Sequence, residues 1–214
     1  MFEFPSSTKV DRPFKIKELL KLINADKETR QESQNIESIT MVNAISEQTT
    51  SLKPSKEVNE IYVLKITLLT EQTPYEFIRQ LDRSIRFQVL FEIWHLYQVK
   101  YLMFYKGLGD KIAQYRLFET EWQIENLKPI EIVKDLTELY KLMLSNIANF
   151  NFRANETLHD WLNRLNEVES LEKEFKKVEK QMKTEIQPKK KFELNDKLRE
   201  IYKKIEERIS ENRE

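Results

Sequence analysis

Between residues 158 and 209 the chain carries two apolar stripes, each only one side chain wide, with a proline between them. Leu158, Trp161, Leu165, Val168, Leu171, Phe175, Val178 and Met182 recur at steps that mostly alternate three and four. That spacing is the seam of a coiled coil, not the broad face of a globular helix. The Val168–Leu171–Phe175 steps depart from strict heptads, so an imperfect seam is expected. Leu194, Leu198, Ile201, Ile205 and Ile209 form the second stripe, beyond Pro188. A seam this narrow cannot shield itself from water. Two such helices joined by a short connection fold back most simply as an antiparallel hairpin. The expectation is helices over 156–182 and 194–210, turning near Pro188, with Phe175, Val178 and Met182 opposite Leu194, Leu198 and Ile201.

Upstream, the pattern is different. The segment 60–69, EIYVLKITLL, alternates apolar and polar residues and is rich in β-branched side chains, which predicts a strand. SITMVNAIS at 38–46 predicts another, and EQTTSLKPSK after it a loop. FQVLFEIWHL and KYLMFYKGL flank a turn near Tyr97 and Gln98 and form a hairpin, while the GLGD turn leads into a fifth strand, QYRLFETEW. Residues 13–30 place Phe14, Leu19, Leu20, Leu22 and Ile23 on a helical stripe, with Pro13 at its first position. In TPYEFIRQLDRSI, Thr73 is read as a helix cap, Pro74 as first-turn residue, and Glu76 as reaching back to the Thr73 amide. From Pro129 a further helix carries Ile132, Leu136, Leu139, Tyr140, Met143 and Ile147 on one face. The whole is an α+β head over 1–150, with a mostly antiparallel sheet of about five strands and helices on one face, followed by a helical, coiled-coil-like hairpin arm over 151–214.

The arm also explains the composition. At 34% charged residues and 40% hydrophobic ones, the chain is too polar for one compact globule. Its 36 basic and 36 acidic residues cancel, so overall charge selects neither nucleic acid nor an acidic ligand. The start lacks a long apolar run and no stretch approaches membrane-spanning length, so a cytoplasmic protein without a membrane partner is expected.

Most enzyme classes find no motif here. There is no cysteine, hence no thiolate and no disulfide framework. The two glycines, Gly107 and Gly109, cannot build a phosphate-cradling loop of the Walker or dinucleotide-binding kind. His95 and His159 lie on different elements without i, i+3 or i+4 partners for a metal. A restriction-type nuclease needs an acid and then an acid-x-Lys pair on adjacent strands, and Glu60 with Lys65 has the wrong spacing. No catalytic residue, cofactor or metal ligand is therefore assigned. The aromatics Trp94, Tyr97, Tyr101, Phe104, Tyr105, Tyr115, Phe118 and Trp122 crowd the sheet, where they either stack single-stranded bases or build the core. With no RNA-recognition signature beside them, the core is the simpler reading.

One patch stands out by charge. Lys176, Lys177, Lys180, Lys183, Lys189, Lys190 and Lys191 face only Glu179 and Glu185 between residues 176 and 191, a local excess of five positive charges. Such a tip contacts phosphates or a protein partner, or it is a solvated hairpin end whose lysines keep a thin seam in solution. The absence of arginine, with Phe192 the single aromatic nearby, weighs against a base-stacking surface.

Several fragments resemble a bacterial family catalogued as domain of unknown function 4391. They are FPSST at 4–8, EIYVLKITL at 60–68, LDRSIRFQVLF at 81–91, TEW at 120–122 and KFELNDKLR at 191–199. Arg86 stands where that family typically has proline. The resemblance implies a setting rather than a chemistry: members are often encoded beside methyltransferases and helicases of type III-like restriction–modification systems. It implies an accessory role in DNA restriction or phage defence, with a restriction–modification or helicase subunit as partner, and transfers no catalytic residue. Three readings follow: a non-catalytic interaction protein, a nucleic-acid-binding module using the lysine-rich tip, and a metal-dependent nuclease.

Overall fold

The computed structural model describes residues 2–106, 115–126 and 133–210, together with the backbone of 128–129. Gly107, Gly109 and the GLGD turn, as well as Ile132, lie outside the described residues. The chain divides into two compact units, Met1–Ala148 and Asn149–Glu214.

The first unit runs β1 (Phe2–Glu3), β2 (Lys9–Phe14), α1 (Ile16–Leu22), α2 (Lys27–Glu32), β3 (Ile36–Ile45), α3 (Glu47–Thr50) and β4 (Ile61–Leu68). It continues with α4 (Tyr75–Ser84), β5 (Gln88–His95), β6 (Gln98–Tyr105), β7 (Arg116–Glu119), β8 (Gln123–Ile124), β9 (Lys128–Pro129) and α5 (Leu136–Ala148). The main sheet has seven strands in the order β2-β3-β4-β5-β6-β7, with β8 also pairing β6. Every pairing in it is antiparallel except β4 with β5. Parallel neighbours need a crossover, and α4 supplies it. A separate parallel pair joins β1 to β9, with Phe2 opposite Lys128. The unit is α+β with a mostly antiparallel sheet, as the alternation predicted, though with seven strands rather than about five.

Strand alternation distributes the core over two faces. Leu64, Phe91 and Leu102 lie in register on one face and pack with Leu19 of α1 and Phe77, Ile78 and Leu81 of α4. Val63, Leu90 and Met103 lie in register on the other face and are equally buried. Both faces are therefore covered.

Three local expectations are corrected. Pro13 does not open a helix: residues 9–14 form the edge strand β2, and α1 starts at Ile16. Proline suits an edge because its missing N–H costs no ladder bond there. The helical stripe also breaks at Asn24, whose φ of 48° is left-handed, so α1 and α2 are separate. Residues 47–50 are not loop but one helical turn, capped by Ser46 and Thr49. At α4 the cap residue is Pro74, without a side-chain bond, and Glu76 binds Arg79 and Gln80 instead of reaching back. The exposed donor is satisfied from a distance: the Phe77 N–H donates to Glu32 Oε2 at 2.9 Å.

In the second unit, Asn149 and Asn155 hold positive φ of 49° and 57°, conformations that asparagine tolerates better than most residues. Helix α6 (Leu158–Thr184) begins after Thr157, whose Oγ1 accepts the Asp160 amide at 3.1 Å. Helix α7 (Pro188–Ile209) follows a three-residue connection. Val178, Leu198 and Ile201 are buried between the helices, with Leu171, Phe175, Met182, Leu194 and Ile205 around them. Lys197 pairs with Glu174 at 2.7 Å and Arg208 with Glu167 at 2.7 Å, so α7 runs back along α6. The stripes read from the sequence are each other's partners.

Candidate interaction surfaces

Pro188 occupies the first position of α7, where its missing N–H is no loss, so the helix opens there and not at residue 194. Lys189, Lys190 and Lys191 therefore form the first turn of a helix rather than a corner loop. All seven lysines are exposed: Lys176, Lys177, Lys180 and Lys183 on α6, and Lys189–Lys191 on α7. Lys183 is tied to Glu179 at 3.0 Å. Three lysines at a helix N-terminus oppose its dipole, which favours acidic groups there. Glu185 offsets part of this, since its Oε1 accepts the Ile186 and Gln187 amides at 2.9 Å each. These bonds hold the Glu185 carboxyl below its usual value, the Gln187 amide acting most strongly. The connection also leaves two apolar side chains in water, Ile186 and Phe192.

The base of the arm is built differently. Arg164 is buried and donates to Glu156, to the Asn151 carbonyl at 2.6 Å and to the Arg208 carbonyl at 2.9 Å. Arg153 donates to the carbonyls of Glu207, Arg208 and Ser210. Two arginines from one end of the arm thus satisfy the carbonyls that end α7. Trp161 stacks on Phe152 at 4.6 Å and donates its Nε1–H to the Phe150 carbonyl. This network holds the end of α7 to the start of the hairpin.

In the head, Asp82 on α4 has a strongly raised carboxyl. Burial pushes its carboxyl up to about 6, against the pull of Lys106, Tyr115 and Arg83. Perturbed groups mark active sites when a substrate can reach them. Here it cannot. Asp82 is wholly buried, and the Lys106 ammonium is shared among the Asp82, Ile85 and Phe87 carbonyls and Asp82 Oδ1 at 3.1 Å. The cluster caps α4 and pins it to the end of β6.

The sheet also brings together a pair that the sequence spacing did not show. Lys65 on β4 stands opposite Glu92 on β5, with its Nζ 4.5 Å from the Trp94 ring centre. Burial, and then Glu125, raise the Glu92 carboxyl, although Trp94 and Lys65 favour its ionised form. Glu60 is engaged instead by the Tyr62 hydroxyl at 2.7 Å. Among the described residues no three His, Cys, Asp or Glu side chains gather to hold a metal. His159 is exposed on α6, and His95 sits edge-on to Trp122 with ring centres 6.5 Å apart. Of the aromatics, Tyr101, Phe104, Tyr105 and Phe118 are core, and Tyr97 is exposed.

That exposed tyrosine belongs to the second surface. Leu96 and Tyr97 form the β5–β6 turn, Ile124 pairs opposite Gln98 beside it, and Leu69 follows β4 where Thr67 pairs Trp94. All four side chains are exposed at the same end of the sheet. The three segments meeting there, 67–76, 92–99 and 119–126, contain six glutamates and neither lysine nor arginine. No single segment shows this; only the strand order does.

No helix among the described residues is long and apolar enough to cross a membrane. No curated protein and no solved structure matches the chain. A family model described as a domain of unknown function, DUF4391, matches residues 2–205 of the 214, and its span takes in both the α+β unit and most of the helical hairpin. The chain belongs to the DUF4391 family.

Proposed function

We propose that this chain is a non-catalytic interaction protein, in which the α+β head is the docking body and the helical hairpin a second, separate unit. The observation that carries this reading is the exposed apolar end of the head, where Leu69, Leu96, Tyr97 and Ile124 come from three separate segments. Single exposed leucines are ordinary on a protein surface, but several large apolar side chains left exposed at one end of a sheet point to a contact site. The buried ionisable pair of the head, Asp82 and Lys106, is consumed by structure. The family resemblance supplies the setting: a DNA restriction or phage-defence assembly, with a restriction–modification or helicase subunit as partner. The test is capture of the tagged chain from its native cells and identification of what co-purifies. A nuclease, methyltransferase or helicase subunit, lost with Tyr97→Asp, is expected. Capture unchanged by that substitution, or of nothing, removes the reading.

A second reading has its own observation. Lys189–Lys191 sit at the end of α7 whose dipole disfavours them, a local cost that a phosphate contact would offset. In this reading the tip binds nucleic acid without base specificity. Affinity for duplex DNA that falls steeply with salt and vanishes when the three lysines become glutamate supports it. Salt-insensitive or lysine-independent binding eliminates it.

A further inference from the structure

The two exposed surfaces are complementary to each other. At the end of the head, Leu96 is 78% exposed, Tyr97 70% and Ile124 71%. Glu71, Glu121 and Glu125 lie in the segments that meet at this end, all exposed and without an ion pair among the described residues. At the arm tip, Ile186 is 91% exposed and Phe192 65%, among lysines that give the segment 176–191 its excess of five positive charges. Each surface has an apolar centre and a charged rim with an excess of one sign, and the two excesses are opposite. The overall charge of zero hides this separation.

We propose that the arm tip of one copy of this chain docks on the acidic end of the head of a second copy. Ile186 and Phe192 would cover Leu96, Tyr97 and Ile124, while Lys189, Lys190 and Lys191 meet Glu71, Glu121 and Glu125. The occupant is a second copy because one chain supplies both halves of the match, in residue type as well as in charge. Such a contact joins unlike surfaces. It therefore either closes as a reciprocal dimer or propagates from copy to copy. Apolar burial provides the attraction, and the charged rims set orientation and rate. The proposal rests on the interaction reading above, but it concerns contact between copies rather than a foreign partner.

Sedimentation velocity of the full chain across a concentration series, at low and high salt, tests it. The wild-type chain associates at low salt and more weakly at high salt, because screening removes the share of the exposed rim charges and leaves the apolar contact. Two triple variants are then made: Lys189→Glu with Lys190→Glu and Lys191→Glu, and Glu71→Lys with Glu121→Lys and Glu125→Lys. Each alone is monomeric, since tip and head now carry the same sign. Mixed in equal amounts they associate again, because the reversed tip of one matches the reversed head of the other. Circular dichroism confirms that both variants keep the wild-type helix content. A wild-type chain monomeric at low salt, variants that still associate, or a mixture that stays monomeric overturns the proposal. Failure here, with a foreign partner still captured from cells, leaves the interaction reading standing and removes only self-docking.

Discussion

Arg164 grips Glu156 with two hydrogen bonds, Nε to Oε1 at 2.7 Å and Nη2 to Oε2 at 2.8 Å, and both side chains are buried. The fork matches the carboxylate plane, and the remaining guanidinium donors reach the Asn151 and Arg208 carbonyls. Removing the arginine strands a carboxylate and the end of α7 together. Arg164→Met is therefore expected to destabilise the arm by about 3–5 kcal/mol, the range for breaking one partner of a buried pair. Hydrogen exchange at the amides of residues 200–209 reads the loss locally.

The same carboxylate gives the arm a pH response. Burial works to raise the Glu156 carboxyl, but the Arg164 bonds, the Arg153 amide and both guanidinium charges hold it below its ordinary 4.5. A depressed folded-state value means stabilisation present above 4.5 and lost as pH falls through the folded value. Asp82 has the opposite sign. Its carboxyl rises from 3.8 to about 6, so the folded head holds that proton more tightly than the unfolded chain. Its contribution is present in full below 3.8 and is lost as pH rises to about 6. Denaturant titrations from pH 3 to 7 should show wild type losing stability relative to Asp82→Asn as pH rises. Relative to Glu156→Gln, it should lose stability as pH falls.

Leu198 lies with Val178 and Ile201 in the buried cluster between the two helices. Leu198→Asp places a charge where no partner stands, which is costly in an apolar seam. The arm should loosen while the sheet signals of the head persist. Replacing Lys189, Lys190 and Lys191 by serine should leave helix content unchanged, since all three point into water. Spin labels at Glu169 and Lys204 should report a short distance within one chain; a span of full helical length would contradict the hairpin.

Glu32 supplies the Phe77 amide with its acceptor from 45 residues away. Glu32→Ala should cost about 1 kcal/mol, as the loss of a helix cap does. Thermal unfolding checks it. Thr73→Ala, by comparison, should cost less, because Pro74 holds the cap position and no side chain bonds there.

That contrast shows where local reasoning ends. The strand at 61–68 was legible because β-branched residues are frequent in it and Leu64, Ile66 and Leu68 recur at every second position on a buried face. The stripes of α6 and α7 were legible because each has one narrow partner. The edge strand β2 was not, since five of its six residues are exposed and no alternation survives. Glu32 was missed as a cap because no periodicity links residue 32 to residue 77. The lysine tip could be counted directly. The acidic end of the head could not, because its glutamates come from segments that become neighbours only through the order β4-β5-β6-β8.

The pairing of β1 with β9 has a consequence for synthesis. Phe2 waits for Lys128, so β1 is made long before its partner strand. Closing a loop of that length is an entropic cost met before the contact returns anything. During translation the amino-terminal segment must stay unpaired until residue 129 has left the ribosome, whereas α6 and α7 meet across three residues as soon as both exist. The head is thus timed by its own far end, and nascent chains stalled before residue 129 should remain open to protease at the amino terminus.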